Sequence, residues 1–370
     1  MTAITDAPRG LAGLVVAETS IGDVLGSEGR YHYRGYDAVE LASGADFEKA
    51  WHLLVLGTLP DADAADRFRE RIARLRVLPA SVLEFLTHAP PVDPLRGLQT
   101  TLPVLAAARG ARPLYDLDEA ARVEEALAVA AAAPGILAWF RHQSAIAPKP
   151  SGRGVVADYL LAVTGHEPDD RAVHALSAYL IATLDHGFNA STFTARVIAS
   201  TGADMGSCVA GGIGALSGPL HGGAPSRALD TLDAVAAAGH AASRASIERY
   251  VRGELASGRR LMGFGHAVYR TADPRARLLR RIAEEFGGPR VELALEYEAV
   301  AERLLAEYKP GRDLHTNVEF YAAVVMEQCG IPREMFTPTF AMARIVGWTA
   351  HVLEQARDPK IIRPSSRYVG

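Results

Sequence analysis

Residues 261–276 read Leu261-Met-Gly-Phe-Gly-His-Ala-Val-Tyr-Arg-Thr-Ala-Asp-Pro-Arg-Ala276, and this stretch is the most informative part of the chain. Its first half is a glycine-flanked turn that carries His266, and glycines let a backbone pass close to a ligand. Asp273 and Pro274 form a typical helix N-cap and first helical residue. The pattern predicts a helix from residue 274 with Arg275 in its first turn, where guanidinium and helix dipole favour an anion. Taken singly, His266 could be a loop residue and Arg275 a solvated helix residue.

A second glycine-rich segment, Gly218-Pro-Leu-His-Gly-Gly-Ala-Pro225, carries another histidine. Pro225 suits the first turn of a helix, which places His221 near a helix N-terminus. The partial positive charge there disfavours imidazolium, so His221 is expected to be neutral. A neutral imidazole can donate a hydrogen bond to a developing enolate oxygen. A turn histidine that caps a helix explains the same pattern equally well.

Two charged residues stand at informative places on later helices. Asn317 is a candidate N-cap, which puts Glu319 in the first helical turn. A carboxylate at that position usually complements the helix dipole. Arg344 lies within the otherwise apolar stretch 340–348. A buried arginine needs a carboxylate partner, which could be an internal side chain or a substrate.

The remaining pattern is mainly helical. A glycine-rich, alternating N-terminal stretch predicts a small β-hairpin or meander. The Ala-rich run from Ala126 to Ala133 is too short to span a membrane and is followed by Pro134. The small apolar residues of 191–216 are expected in the core or at a subunit interface, and the turn 217–223 is expected to be a hinge. Helices are predicted over about 46–57, 62–77, 80–88, 93–109, 117–132, 152–164, 170–185, 225–237, 241–257, 274–286, 290–307, 317–329 and 337–356.

Composition excludes several function classes. The 370 residues carry a formal net charge of -4, without the basic excess that a general nucleic-acid binder needs. Two cysteines without a CxxC pair give neither a disulfide framework nor a zinc site. We find no targeting leader and no membrane-spanning run of about 18 apolar residues. A cytoplasmic protein with no membrane and no nucleic-acid partner is therefore expected.

Together these strings closely resemble the citrate synthase family, including its 2-methylcitrate synthase relatives, over nearly the whole chain. The family fold is an almost entirely helical homodimer, and the resemblance implies a large domain of residues 1–222 and 333–370. The small domain, residues 223–332, would close over the substrates. Besides the stretches above, the resemblance includes Tyr33-Arg-Gly-Tyr-Asp37, Glu40-Leu41, Trp51-His-Leu-Leu-Val-Leu-Gly57, Leu59-Pro60, Asp185-His-Gly-Phe-Asn-Ala-Ser-Thr-Phe-Thr-Ala-Arg196, Ala343-Arg-Ile-Val-Gly-Trp348 and Arg363-Pro364.

The resemblance also implies roles for particular residues. His221 is similar to the histidine that stabilises the enol of the thioester, and His266 to the one that polarises the oxaloacetate ketone. Glu319 stands where the family has an aspartate as catalytic base. The side chains similar to oxaloacetate contacts are His186, Arg275, Arg344 and Arg363, the last contributed by the neighbouring subunit. The coenzyme A contacts would be Leu261, Met262, Gly263, Phe264, Arg270 and Asn317.

The implied activity is condensation of acetyl-CoA with oxaloacetate to citrate and free CoA, the entry to the tricarboxylic acid cycle. No metal and no cofactor are expected, because the coenzyme A thioester is a substrate. Three alternatives remain open: a 2-methylcitrate synthase that uses propionyl-CoA, a catalytically impaired ligand-binding paralogue, and an enzyme that cleaves citryl-CoA. The second alternative rests on Glu319, because one added methylene displaces the carboxylate by roughly a bond length, and about 1 Å can lower the rate on the order of 100-fold.

Overall fold

The structure is a computed structural model, and it describes residues 6–143, 150–221, 225–237, 243–266 and 268–370. The described residues form sixteen α-helices and one small sheet, which confirms the mainly α fold predicted from the sequence. The predicted hinge at 217–223 falls partly outside the described residues, and the division into two domains stays a prediction.

The N-terminal sheet has three antiparallel strands, β1 (Gly22–Leu25), β2 (Arg30–Tyr33) and β3 (Tyr36–Asp37). Side chains alternate along β2, so that Tyr31 and Tyr33 point into the core. The Tyr31 hydroxyl donates to the Ala182 carbonyl, and that of Tyr33 lies 2.9 Å from the Ile181 carbonyl. These two hydrogen bonds attach the sheet to the C-terminal end of the helix that ends at Ala182.

Ten helices follow, most of them begun by an aspartate or asparagine whose side chain accepts a backbone N–H. They are α1 (Ala38–Gly44), α2 (Phe47–Leu56), α3 (Ala62–Leu75), α4 (Ala80–His88), α5 (Pro94–Ala108), α6 (Glu119–His142), α7 (Val155–Thr164), α8 (Asp170–Ala182), α9 (Ala190–Ala199) and α10 (Met205–Leu216). Six more complete the fold: α11 (Pro225–Ala237), α12 (Arg244–Ala256), α13 (Pro274–Phe286), α14 (Pro289–Tyr308), α15 (Val318–Gln328) and α16 (Phe336–Gln355).

Helix α6 corrects one boundary, because it continues through Pro134 to His142 instead of ending near residue 132. An internal proline removes one backbone hydrogen bond and destabilises a helix by about 3 kcal/mol. Here residues 126–134 are all buried, so packing on both sides of the helix offsets that penalty. Contrary to the expectation that no segment is long and apolar enough to cross a membrane, α6 passes that test, but most of it is enclosed by the rest of the protein, as in a core helix.

Helix α16 is the central element beneath the site, and every residue from Ala341 to Val352 is buried. Gly347 lets it approach the segment after α8, since a Cβ there would lie 2.1 Å from the Leu184 carbonyl oxygen. Gly212 of α10 likewise lies against the ring of Trp348. The small residues of 191–216 thus permit close helix contact in the core, as expected from the sequence.

Candidate active site

The start of α13 holds a buried ion pair. The Asp273 side chain caps the helix by accepting the Arg275 backbone N–H at 3.0 Å. The same carboxylate accepts Nε and Nη2 of Arg275 at 3.0 and 2.8 Å, and the Val318 N–H at 3.1 Å. Burial opposes ionisation, but Arg275 holds the pKa of Asp273 below its ordinary value. The pair fixes α13 against the start of α15, and Nη1 of Arg275 has no hydrogen bond to a described residue.

The tautomer of His266 follows from its neighbours. Its Nδ1 accepts the backbone N–H groups of Val268 and Tyr269 at 2.9 and 3.1 Å, so the ring proton of the neutral imidazole lies on Nε2. Nε2 faces Nη2 of Arg275 at 3.2 Å. Both groups are donors and cannot bond to each other, so they suit a shared acceptor oxygen. Burial and the charge of Arg275 lower the pKa of His266 to about 4.

His186 lies beside His266 in the loop between α8 and α9. The two rings meet edge-on with centroids 5.4 Å apart, and Nε2 of His186 lies 2.9 Å from the Tyr269 hydroxyl. Burial, Arg275 and Arg344 together hold the pKa of His186 well below its ordinary value. Both predicted ketone-side imidazoles are therefore neutral and adjacent.

Arg344 on α16 is 3% exposed, yet no described carboxylate lies within ion-pair distance of it. Its Nε donates to the Thr183 carbonyl at 3.0 Å, and the guanidinium lies 4.7 Å from the Phe340 ring centroid. Burial lowers its pKa, while the charge of Asp185 acts in the opposite sense. The other guanidinium N–H groups of Arg344 have no acceptor among the described residues, which favours an external anion over an internal partner.

The sequence analysis assigned no role to Asp185, although it quoted the segment that begins there, and it did not single out His351. His351 Nδ1 faces the Arg196 guanidinium, a pure donor, at 3.1 Å, so Nε2 carries the proton and donates to Asp185 at 3.1 Å. This buried series of hydrogen bonds holds the Asp185 carboxylate under the loop that carries His186. His351 follows Arg344 by seven residues, two helical turns on one face, which is the only sequence signal that could have indicated it.

Glu319 lies in the first turn of α15, where Asn317 is the N-cap as predicted. Its Oε2 is shielded from solvent and has no hydrogen-bond partner among the described residues. Burial raises the pKa of Glu319 from 4.5 to about 7, against the opposing effect of Arg275 and Arg344. A carboxylate that only complements the helix dipole would be solvated, so this environment favours a chemical role.

His221 lies against the N-terminal end of α9. Its Nε2 is 2.8 Å from the Ser191 hydroxyl, which in turn lies 2.7 Å from Oδ1 of Asn189. Burial and Arg344 lower the pKa of His221. Helix α11 begins at Pro225 as predicted, whereas residues 222–224 lie outside the described part of the chain. Arg344 thus acts electrostatically on His186, His221 and Glu319.

A cleft of about 470 Å³ opens beside His266. Backbone pairing of 263–265 with 315–317 forms one wall, through N–H···O bonds of 2.8 Å from Gly265 and from Asn317. Five of the six predicted coenzyme A residues line this cleft, namely Leu261, Met262, Gly263, Phe264 and Asn317. It is also lined by four cations that the sequence analysis missed, Arg259, Arg260, Lys309 and Arg312. Arg259 is paired with Glu254, and the other three suit phosphate groups.

Two of the predicted site residues, Arg270 and Arg363, do not join the other site residues of their own chain. The Arg270 side chain is exposed and does not line the cleft. Arg363 is also exposed, next to Ile362, whose N–H donates to the Ser200 hydroxyl at 3.0 Å. Ser200 follows the C-terminal end of α9, about 15 Å along the helix from the end that carries the site.

The arrangement agrees with known proteins. The profile of the family described as "Citrate synthase, C-terminal domain" matches residues 10–365. The chain belongs to the citrate synthase family. A citrate synthase of Haloferax volcanii is 35% identical over 369 residues, covering 98% of this chain and 95% of that protein. A 2-methylcitrate synthase of Shewanella oneidensis is 35% identical over 373 residues, covering 98% and 94%.

A solved structure shares the fold of this citrate synthase family member. It is the ternary complex of citrate synthase from Thermoplasma acidophilum with carboxymethyl coenzyme A and oxaloacetate, 25% identical, with a TM-score of 0.86. The similarity covers 98% of this chain and 96% of that one. The predictions of family, fold and enzyme class are therefore confirmed.

Proposed function

We propose that this enzyme condenses acetyl-CoA with oxaloacetate to form citrate and free CoA, at the entry to the tricarboxylic acid cycle. One observation carries the proposal: Glu319, a half-buried carboxylate with one solvent-shielded oxygen that has no partner among the described residues, shares its site with donors that have no internal acceptor. These donors are Nε2 of His266 and the free N–H groups of Arg275 and Arg344. A dianionic 2-oxo acid would fill the donors and leave Glu319 free to act as a base.

Oxaloacetate would bind first, with its carboxylates on Arg275 and Arg344. Its ketone oxygen would take the position that Nε2 of His266 and Nη2 of Arg275 both face, which polarises the carbonyl. The shared position explains why two donors are held 3.2 Å apart at a buried place.

The thioester would then be activated between Glu319 and His221. Glu319 removes a proton from the acetyl methyl group, and a pKa of about 7 suits a general base at neutral pH. Neutral His221, which is hydrogen-bonded through Nε2 to the Ser191 hydroxyl, stabilises the enol oxygen. The enol carbon attacks the ketone carbon, and the new alkoxide takes the His266 proton. Water then hydrolyses the citryl thioester and CoA leaves as a thiol.

The acyl group is the open choice, since the family includes 2-methylcitrate synthases. One extra methylene in an apolar pocket changes specificity by only about 1–3 kcal/mol. Relative rates with acetyl-CoA and propionyl-CoA, measured by thiol release with oxaloacetate, decide between the two.

Substitution of the base tests the condensation itself. In Glu319→Gln we expect thiol release to fall by at least about 100-fold while oxaloacetate binding, measured calorimetrically, stays within about threefold of wild type. The amide keeps the shape but cannot accept the proton. Undiminished turnover in this variant would remove Glu319 from the base role, and a wild-type protein that binds both substrates without thiol release would favour the ligand-binding paralogue.

We also propose that the active form is a cytoplasmic homodimer in which Arg363 of each chain completes the oxaloacetate site of the other. The exposed position of Arg363, beyond the far end of α9 in its own chain, supports this assignment. No metal or other cofactor enters the proposed steps.

A further inference from the structure

We propose that Tyr269 is a positioning residue, whose hydroxyl fixes His186 as the Nδ1–H tautomer and thereby gives oxaloacetate a hydrogen-bond donor. The inference rests on the proposed function and adds a residue that the resemblance does not assign. Tyr269 is 4% exposed, and its hydroxyl lies 2.9 Å from Nε2 of His186.

The direction of this hydrogen bond follows from the partners available. The Tyr269 oxygen has no hydrogen bond to any other described residue, so its single proton would be buried without an acceptor unless it goes to Nε2. Burial also raises the pKa of the Tyr269 phenol, which therefore keeps its proton. Nε2 is then the acceptor, and the ring proton of neutral His186 lies on Nδ1.

The free nitrogen of His186 is available to a ligand. Nδ1 has no hydrogen bond within the described ranges, and the imidazole is only partly buried. The same two arginines that lower the pKa of His186, Arg275 and Arg344, would hold the substrate carboxylates. A neutral ring whose donor faces that anion assists binding, whereas the opposite tautomer would turn a lone pair toward it.

Tyr269 is itself held rigidly. Its backbone N–H donates to Nδ1 of His266, and its ring lies 4.7 Å from that imidazole. The adjacent Arg270 N–H donates to the Gly26 carbonyl, and a Cβ on Gly26 would lie 2.6 Å from the Val268 carbonyl oxygen. The β1–β2 turn thus holds residues 268–270 in place. Tyr269 sets the tautomer of His186 through its hydroxyl and, together with the Val268 N–H, that of His266 through its backbone.

The test is a double-variant cycle on the full-length enzyme. Tyr269→Phe should raise KM for oxaloacetate about 3- to 10-fold, the loss of one neutral hydrogen bond, with little change in kcat or in KM for acetyl-CoA. In a His186→Gln background the same substitution should change nothing further. Tyr159→Phe is the matched control, because it removes a fully buried hydroxyl that is bonded to Thr339 and to no residue assigned to the site. Its Tm loss should match that of Tyr269→Phe, while its KM for oxaloacetate stays at the wild-type value.

Nitrogen-15 NMR of histidine-labelled enzyme provides a second, independent readout. The His186 resonances, assigned by their loss in His186→Gln, should show a protonated Nδ1 and an unprotonated Nε2 in wild type. An unchanged KM in Tyr269→Phe, a full effect of that change in the His186→Gln background, or an Nε2–H signal would each overturn the proposal. A wild-type enzyme that fails to turn over oxaloacetate would instead refute the proposed function.

Discussion

Glu319 illustrates how a single residue acquires reactivity from its surroundings. The carboxylate lies beside the buried Asp273–Arg275 pair, and its Oε2 has neither solvent nor a hydrogen-bond donor. Its pKa of about 7 results mainly from burial, with a further contribution from Asp273. His266, with its pKa near 4, is neutral at any pH at which Glu319 is ionised.

These pKa values define the pH dependence of the rate. Because Glu319 must be ionised to remove a proton, kcat/KM for acetyl-CoA at saturating oxaloacetate should fall about tenfold for each pH unit below about 7. No second limb from His266 should appear between pH 5 and 7, since that imidazole is already neutral. A rate profile that is flat from pH 5.5 to 8 would contradict this assignment.

Stability should respond to the same group in the opposite sense. Folding raises the pKa of Glu319 from 4.5 to about 7, so the folded state favours the protonated form and loses stability as pH rises through 7. Glu319→Gln should therefore raise Tm at pH 8 but leave it nearly unchanged at pH 5. The pKa difference corresponds to on the order of 3 kcal/mol at alkaline pH. Equal Tm values at pH 8 would show that Glu319 is not buried as an anion.

At the level of elements, α16 sets the position of the oxaloacetate loop. It carries Arg344 and His351 on one face, and Gly347 between them lies against Leu184, next to Asp185 and His186. A close helix contact therefore places the arginine, the aspartate and the imidazole in fixed relation. The residue types and their helix propensities do not by themselves account for the positions of these three groups relative to one another.

A methyl group at this contact should disturb both folding and binding. Gly347→Ala would place Cβ 2.1 Å from the Leu184 carbonyl oxygen, so α16 or the loop must shift. We expect destabilisation of about 2–4 kcal/mol and a higher KM for oxaloacetate. Gly253→Ala, on the exposed face of α12 with no atom within 4 Å of its added Cβ, is the control and should stabilise slightly. A Gly347→Ala protein with wild-type Tm and KM would show that the contact does not constrain the loop.

At the scale of the whole molecule, the proposed anion site contains two arginines of its own chain, and the third predicted arginine lies elsewhere. Arg275 is shared with Asp273, and Arg344 is deep in the core, while Arg363 lies exposed on the C-terminal segment. A two-fold dimer in which each C-terminal segment crosses to its partner would supply a third cation to both sites.

Subunit complementation measures this sharing directly. Arg363→Ala and Glu319→Gln should each be nearly inactive as separate dimers. In a mixed dimer, the Arg363→Ala chain keeps Glu319 and receives Arg363 from its partner, which rebuilds one intact site. After unfolding and joint refolding, an equimolar mixture should recover about a quarter of wild-type activity. Lack of recovery, in a mixture that sedimentation shows to be dimeric, would place Arg363 in its own chain's site or outside any site.

The amino-acid sequence alone determined the features that depend on near neighbours along the chain. Helix caps at Asp273 and Asn317, helical periodicity and the glycine turn around His266 are local, because capping and repeat patterns act within a few residues. The order of these strings also indicated the family. Tertiary structure decided what depends on groups distant in sequence: the continuation of α6 through Pro134, the pairing of Tyr269 with His186 and the chain from Arg196 through His351 to Asp185. Proton positions and pKa values are set by the donors and charges that lie nearby in space, and only the packed fold brings those groups together.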